Sequence, residues 1–188
     1  SFFNVVGSRL AHNESIIYPG SHCTYCKNKL GASELIPILS YLIQGGKCKW
    51  CHKQLSFYYP LSEFLTGICF SLCYIVFGFT WQFLIAIVFV SFLIMIVSSD
   101  MEDMIIPDEL LMIGSVMIVL LQIPAYGVQY MISHLLQGVC AFFFMWALKL
   151  FGDHLFHKES MGGGDIKLLF FFGLVLGFPL AVLSIFVG

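Results

Sequence analysis

The sequence predicts an all-α polytopic membrane protein, a helical bundle carrying one small polar insertion, and three observations predict it. The 188-residue chain is 59% hydrophobic and only 11% charged, with a mean hydropathy of +0.91, which is too apolar for a water-soluble domain of this length. Residues 64–99, 110–148 and 168–188 contain no Asp, Glu, Lys or Arg, over 36, 39 and 21 positions. One crossing needs about 20 apolar residues, so the first two runs each hold two spans and the last holds one. The remaining polar residues concentrate in one block and a few short loops.

In chain order, residues 1–7 read as the remnant of a first transmembrane helix and 8–58 as a polar, cysteine-bearing domain. Residues 59–188 form the bundle, with spans expected at 61–78, 81–99, 109–124, 129–150 and 166–188. Gly and Pro mark the short links Gly78–Trp81 and Ile123–Gly127, as turns require. Longer loops fall at 100–108 and 151–165. Counting spans returns both loops to the side of the polar domain. Arg9, Lys27, Lys29, Lys47, Lys49, Lys53, Lys149, Lys158 and Lys167 then share one face. The positive-inside rule makes that face cytoplasmic. A net charge of −2 carries no nucleic-acid signature.

Within the polar block, Cys23-Thr-Tyr-Cys26 and Cys48-Lys-Trp-Cys51 are two C-x2-C knuckles separated by 21 residues. Such a pair supplies four thiolates to one tetrahedral ion, the pattern of a closed structural zinc site. The competing reading is a pair of disulfides or a redox couple, which a cytoplasmic, reducing location disfavours. The expectation is a zinc-ribbon-like insertion. His22 and His52 adjoin the ligands as solvated neighbours, and Cys69, Cys73 and Cys140 pack as small apolar residues.

Asp100 and Asp165 each stand where an apolar run gives way to a polar loop. A carboxylate at a membrane edge is a functional candidate by default. If the preceding span continues one turn past Ser99, Asp100 and Asp103 fall at i,i+3 on one face. Pro107, Asp108 and Glu109 read as the opening of the next helix, where acids meet the positive end of the dipole. Gly162, Gly163 and Gly164 precede Asp165 and allow backbone to approach a substrate closely. No Walker lysine-serine pair follows and no strand precedes, which argues against a phosphate loop. Glu63 stands alone at the start of a span, and two readings stay open: snorkelling to the interface, or a place in a binding site.

Taken together, the knuckle pair, the Asp100…Ile106-Pro107-Asp108 loop and the Gly162-Gly163-Gly164-Asp165-Ile166-Lys167 loop resemble the type IV prepilin peptidases, the Gly-x-Gly-Asp membrane aspartyl proteases. Phe3-Asn4-Val5-Val6 with Arg9, Ile36-Pro37 and Tyr59-Pro60-Leu61-Ser62-Glu63 extend the resemblance over nearly the whole chain, and its finer pattern is similar to the late-competence branch of Gram-positive bacteria. Ser99 departs from it, standing where an apolar residue often precedes the first aspartate. The resemblance implies that Asp100 and Asp165 are the catalytic pair, with Gly162, Gly163, Gly164, Lys167, Asp108 and Glu63 around the substrate. It implies cleavage of prepilin or pseudopilin precursors after a Gly, at the cytoplasmic face of the bacterial inner membrane, serving type IV pili, competence or type II secretion. It further implies methylation of the new N-terminus with S-adenosylmethionine.

Two carboxylates sharing a proton suffice for such a hydrolysis. One takes a proton from water while the other protonates the scissile carbonyl. Asp165, opening a helix beside Lys167, suits the ionised base, and Asp100, closing one, suits the proton donor. Eight of the 11 acids lie from Asp100 to Asp165, a field that draws a basic leader. Taken singly, Glu102, Asp103, Asp153 and Glu159 read as solvated loop residues. The Phe142–Phe144 and Phe170–Phe172 runs read as lipid-facing or packing residues. Competing classes are a cation transporter with a regulatory zinc domain, and a zinc-ribbon scaffold without catalysis. Transport favours acids at mid-bilayer rather than at one face.

Overall fold

The computed structural model describes residues 2–12, 15, 18, 20–23, 25–31, 34–157 and 161–187. The expectations for Lys158 and Glu159 lie outside the described residues. The helices are α1 (Phe2–Ala11), α2 (Leu39–Ile43), α3 (Tyr58–Phe77), α4 (Trp81–Asp103), α5 (Asp108–Tyr126), α6 (Val128–Phe156), α7 (Gly163–Leu176) and α8 (Phe178–Val187). Four of these, α3 to α6, are long and apolar enough to cross a membrane. No strand occurs among the described residues, only two isolated bridges in the cysteine region, His22 with Lys29 and Lys47 with Gln54.

Several helix ends differ from the expected ones. Helix α4 runs past Ser99 to Asp103, where Met104 turns left-handed at φ 54° and donates its N–H to the Asp100 carbonyl. Asp100 and Asp103 therefore do share a helical last turn. Helix α5 continues through Pro124 to Tyr126 and stops at Gly127, φ 88°. Proline forfeits one backbone bond near a terminus without ending the helix. Helix α6 reaches Phe156, so the expected 151–165 loop shrinks to the segment before Gly163.

The last span is the larger correction, because it is two helices rather than one. Gly177 adopts φ +81°, and Pro179 has no N–H for the turn behind it. In a membrane the freed backbone groups need partners. Gln137 Oε1 accepts the Phe178 N–H at 3.0 Å, and Gln122 Nε2 donates to the Leu174 carbonyl at 2.6 Å.

The core lies between α1, α4, α5 and α7. Phe171 is fully buried and stacks on Phe89 with ring centroids 5.1 Å apart. Gly114 lets α5 come down on Phe92 and Phe171, and Gly138 with Gly173 brings α6 and α7 backbone to backbone. The second Phe run is therefore packing at Phe171, whereas Phe143 in the first is exposed on the outside of the bundle. Cys69 and Cys73 are partly buried and Cys140 is exposed on that apolar exterior.

Helix α1 lies along α4, and the two run in the same direction. A Cβ on Gly7 would sit 2.4 Å from the Met95 carbonyl oxygen. Further along both helices, His12 Nε2 meets Asp103 Oδ1 at 3.4 Å. The ends of α1 and α4, and hence the cysteine region and Asp100, belong to one side of the bundle.

Candidate functional site

Each aspartate is set by the end of its helix. Asp100 occupies the last turn of α4 and is exposed. Asp165 sits in the first turn of α7, half-buried, with Gly162 as the residue before the helix. Gly163 and Gly164 are thus helical rather than loop. The close approach expected of the glycine run exists, but its partner is protein: a Cβ on Gly164 would lie 3.0 Å from Ile106 Cβ.

Ile106 belongs to the connection between α4 and α5, so this contact packs one aspartate-bearing segment on the other. The same junction carries an ion pair, Lys167 Nζ to Asp108 Oδ2 at 2.6 Å. Ser99 fixes the connection from below, its hydroxyl donating to the Ile105 carbonyl at 2.7 Å. The departure from the family pattern at Ser99 therefore has a structural role.

Beneath Asp100 runs a buried polar relay that sequence reasoning missed. Ser98 Oγ donates to Asn4 Oδ1 at 2.8 Å, Asn4 Nδ2 donates to Ser62 Oγ at 2.7 Å, and Ser62 donates to the Tyr59 carbonyl. Asn4 and Ser98 are each 1% exposed. Buried groups of this kind must be paired, and here the pairing joins α1, α3 and α4. The signal available was a polar residue interrupting an apolar segment at Asn4, Ser62 and Ser98.

Glu63 is engaged with the cysteine region. Its carboxylate accepts the Ile38 N–H at 2.7 Å, tying α3 to the cysteine region. Asp108 opens α5 as expected, although Pro107 precedes the helix instead of filling its first position.

The four cysteines converge. Their Sγ atoms all lie within 4.8 Å of one another, with Cys23 to Cys51 at 3.9 Å and Cys26 to Cys48 at 4.0 Å. Zn–S bonds of about 2.3 Å at tetrahedral angles put sulfurs about 3.8 Å apart, whereas a disulfide needs about 2.05 Å. The cluster has the size and donor set of a metal site, and all four cysteines are free thiols.

The two knuckles repeat one geometry. Cys23 N–H bonds the Asn28 carbonyl and Cys48 N–H the Lys53 carbonyl. Lys27 and His52, each following the second cysteine, turn left-handed at φ 59° and 55°. Backbone N–H groups of Cys51 and Trp50 point at Cys48 and lower its thiol from 9.0 to about 7. Cys26 receives a lowering hydrogen bond from Asn28, but burial and its sulfur neighbours prevail and raise it to about 11. Lys53 lies 4.6 Å over the Tyr25 ring and bridges the knuckles.

With this geometry in place, the comparisons divide the chain in two. The model of the bacterial peptidase A24 N-terminal domain matches residues 1–77, and that of the type IV leader peptidase family matches 87–188. The chain belongs to the type IV leader peptidase family. Similar curated proteins include prepilin leader peptidase/N-methyltransferases of several bacteria. That of Bacillus subtilis is 36% identical over 99% of this chain and 73% of its own length. Those of Myxococcus xanthus and Neisseria gonorrhoeae are 32% and 31% identical over 94% and 93% of this chain. The chain spans 52% and 60% of the length of those two. No solved structure matches it. As a leader peptidase of this family, the chain carries one domain match over the cysteine cluster and another over both aspartate segments.

Proposed function

We propose that this chain is the working part of a prepilin leader peptidase, an aspartyl endopeptidase that removes the basic leader of prepilin-like or pseudopilin precursors after Gly at the cytoplasmic face of the inner membrane. The observation that carries the reading is the junction of Gly164 on Ile106 and Lys167 on Asp108. It holds the segments bearing Asp100 and Asp165 against each other at one end of the bundle. The names of the similar proteins support the substrate class.

Chemically, one carboxylate takes the proton of an attacking water while the other protonates the carbonyl oxygen of the scissile peptide. The assignment of base to Asp165 rests on its place in the first turn of α7, and of acid to Asp100 on its place in the last turn of α4. The acids around the junction attract a basic leader. Residues 8–58 serve as the cytoplasmic zinc module and 59–188 as the protease bundle. Zinc, held by Cys23, Cys26, Cys48 and Cys51, would supply a crosslink to a segment too small to build its own core. Methylation of the new N-terminus from S-adenosylmethionine is proposed with it, on the names of the relatives.

The deciding experiment is cleavage of a prepilin-like substrate by the full-length protein in liposomes, beside Asp100→Asn and Asp165→Asn. Loss of cleavage in both folded variants establishes the pair. Activity surviving in either transfers that role to another acid, with Asp103 and Asp108 next in line. No cleavage by the intact protein would favour cation transport instead.

A further inference from the structure

The cysteine region exposes an apolar ridge that a water-soluble module does not need. Leu35, Ile36, Leu39, Leu42 and Ile43 are 46–83% exposed, with Ile43 the most open. Helix α2 spans five residues, none of them buried. On a monomer in water such a contiguous patch marks an interaction site.

Its height along the bundle identifies what covers it. Ile38 sits in the middle of the ridge, and its N–H donates to Glu63 at 2.7 Å. Glu63 is the sixth residue of α3, a helix long and apolar enough to cross a membrane, and the last charged residue before the uncharged run from 64 to 99. Ile38 also lines a groove along α3 with Phe64, Ile68 and Leu72, which are exposed on the outside of the bundle. The ridge is therefore continuous with the lipid-facing side of α3, about one and a half turns inside the helix start. A backbone strain holds it there. Ile38 is a β-branched residue at φ 59°, ψ −50°, with Leu39 N–H bonded to the Pro37 carbonyl. This is a tight turn that persists only where surroundings enforce it, and the Glu63 carboxylate is one such constraint. Exposed Lys47 and Lys49 follow the ridge by a few residues, placed for anionic headgroups as on an interfacial helix.

We propose that residues 35–43 form an interfacial anchor, seated in the headgroup and upper acyl zone of the leaflet on the cysteine side and pinned to α3 through Glu63. The cysteine module then lies flat on the bilayer instead of hanging free in water. Glu63 acts as the joint between module and membrane.

The test uses the full-length protein in vesicles of phosphatidylethanolamine and phosphatidylglycerol, with a nitroxide amino acid incorporated at Ile43 so that no thiol is touched. Collision with oxygen, which concentrates in lipid, is compared with collision with a water-soluble chromium oxalate complex. Reference labels stand at Ile75 on α3 and at Lys29 in the first knuckle. The anchor predicts an oxygen-to-chromium ratio at Ile43 several-fold above that at Lys29 and approaching that at Ile75. A ratio equal to that at Lys29 places the ridge in water and overturns the proposal. Shielding from both reagents means that protein covers the ridge, a second copy or another chain, and overturns it equally. A label at Leu42 repeats the reading should one site perturb the turn.

Discussion

Lys167 on α7 and Asp108 at the start of α5 stand 59 residues apart in sequence, and their charged atoms meet at 2.6 Å. The pair ties the two aspartate segments across their junction. Both side chains are about half exposed, 45% and 55%. Exposed pairs contribute at most about 1 kcal/mol to stability.

That exposure separates positioning from folding. Lys167→Met and Asp108→Asn should each lower the rate of leader cleavage by about tenfold or more, since misplacement of a reacting group by about 1 Å is worth up to about 10²-fold. The unfolding midpoint should barely move. Exchanging the two residues, Lys167→Asp with Asp108→Lys, should recover part of the rate. Wild-type turnover in either single variant would reduce the pair to surface decoration.

The glycines give a graded steric test. Gly7→Ala drives a methyl to 2.4 Å from the Met95 carbonyl oxygen, a backbone atom that cannot swing aside. It should destabilise by about 1–3 kcal/mol and loosen α1 from α4. Gly164→Ala meets Ile106 Cβ at 3.0 Å, an atom that moves only with the connection carrying it, and should shift the junction more than the fold, reducing cleavage ahead of stability. Gly67 in α3 meets nothing within 4 Å, so Gly67→Ala should be neutral or stabilising by up to about 1 kcal/mol. Thermal unfolding of the three in one detergent checks the order.

Removing metal should loosen the cysteine module, and pH should set how easily. Metal binding needs thiolates and expels their protons. Cys26, raised to about 11, carries a proton through the neutral range, while Cys48, lowered to about 7, gains one only below that value. Zinc affinity should therefore rise with pH, by about tenfold per pH unit for each proton released, and more steeply below pH 7 than above it. Competition with a chromophoric chelator from pH 6 to 8 measures the slope. A flat profile would mean that the thiols are not the ligands.

Much of the bundle was legible because lipid imposes a crude rule: uncharged runs of sufficient length become spans. The four knuckle cysteines were legible because two local turns already place two sulfurs each. The junction was not. Asp108 with Lys167, and Ile106 with Gly164, are meetings of segments remote in sequence, and no period or spacing encodes them. The break at Gly177 was hidden for another reason. Hydropathy averages over a window, whereas a helix ends on one left-handed glycine, one proline and the side chains of Gln122 and Gln137 that receive the freed backbone. Glu63 was visible as a lone acid, but its partner is a backbone N–H in another segment.

Asn4 offers the sharpest test of whether the first helix belongs to the protease site. Its amide accepts from the hydroxyl of Ser98, two residues before Asp100 on α4, and donates to Ser62 on α3. Asn4→Ala leaves the buried Ser98 hydroxyl without its acceptor, at a cost of about 1–3 kcal/mol. Ser98→Ala leaves the Asn4 carbonyl oxygen equally stranded. Once one partner is gone, removing the second relieves an orphaned group, so the double variant should be less destabilised than the sum of the singles. The coupling should lie between about 0.5 and 3 kcal/mol. Cleavage should follow the same cycle, because the α4 turn that Ser98 steadies carries Asp100. Strict additivity in stability, or full activity in Asn4→Ala, would separate α1 from the site and leave its contact with α4 as packing alone.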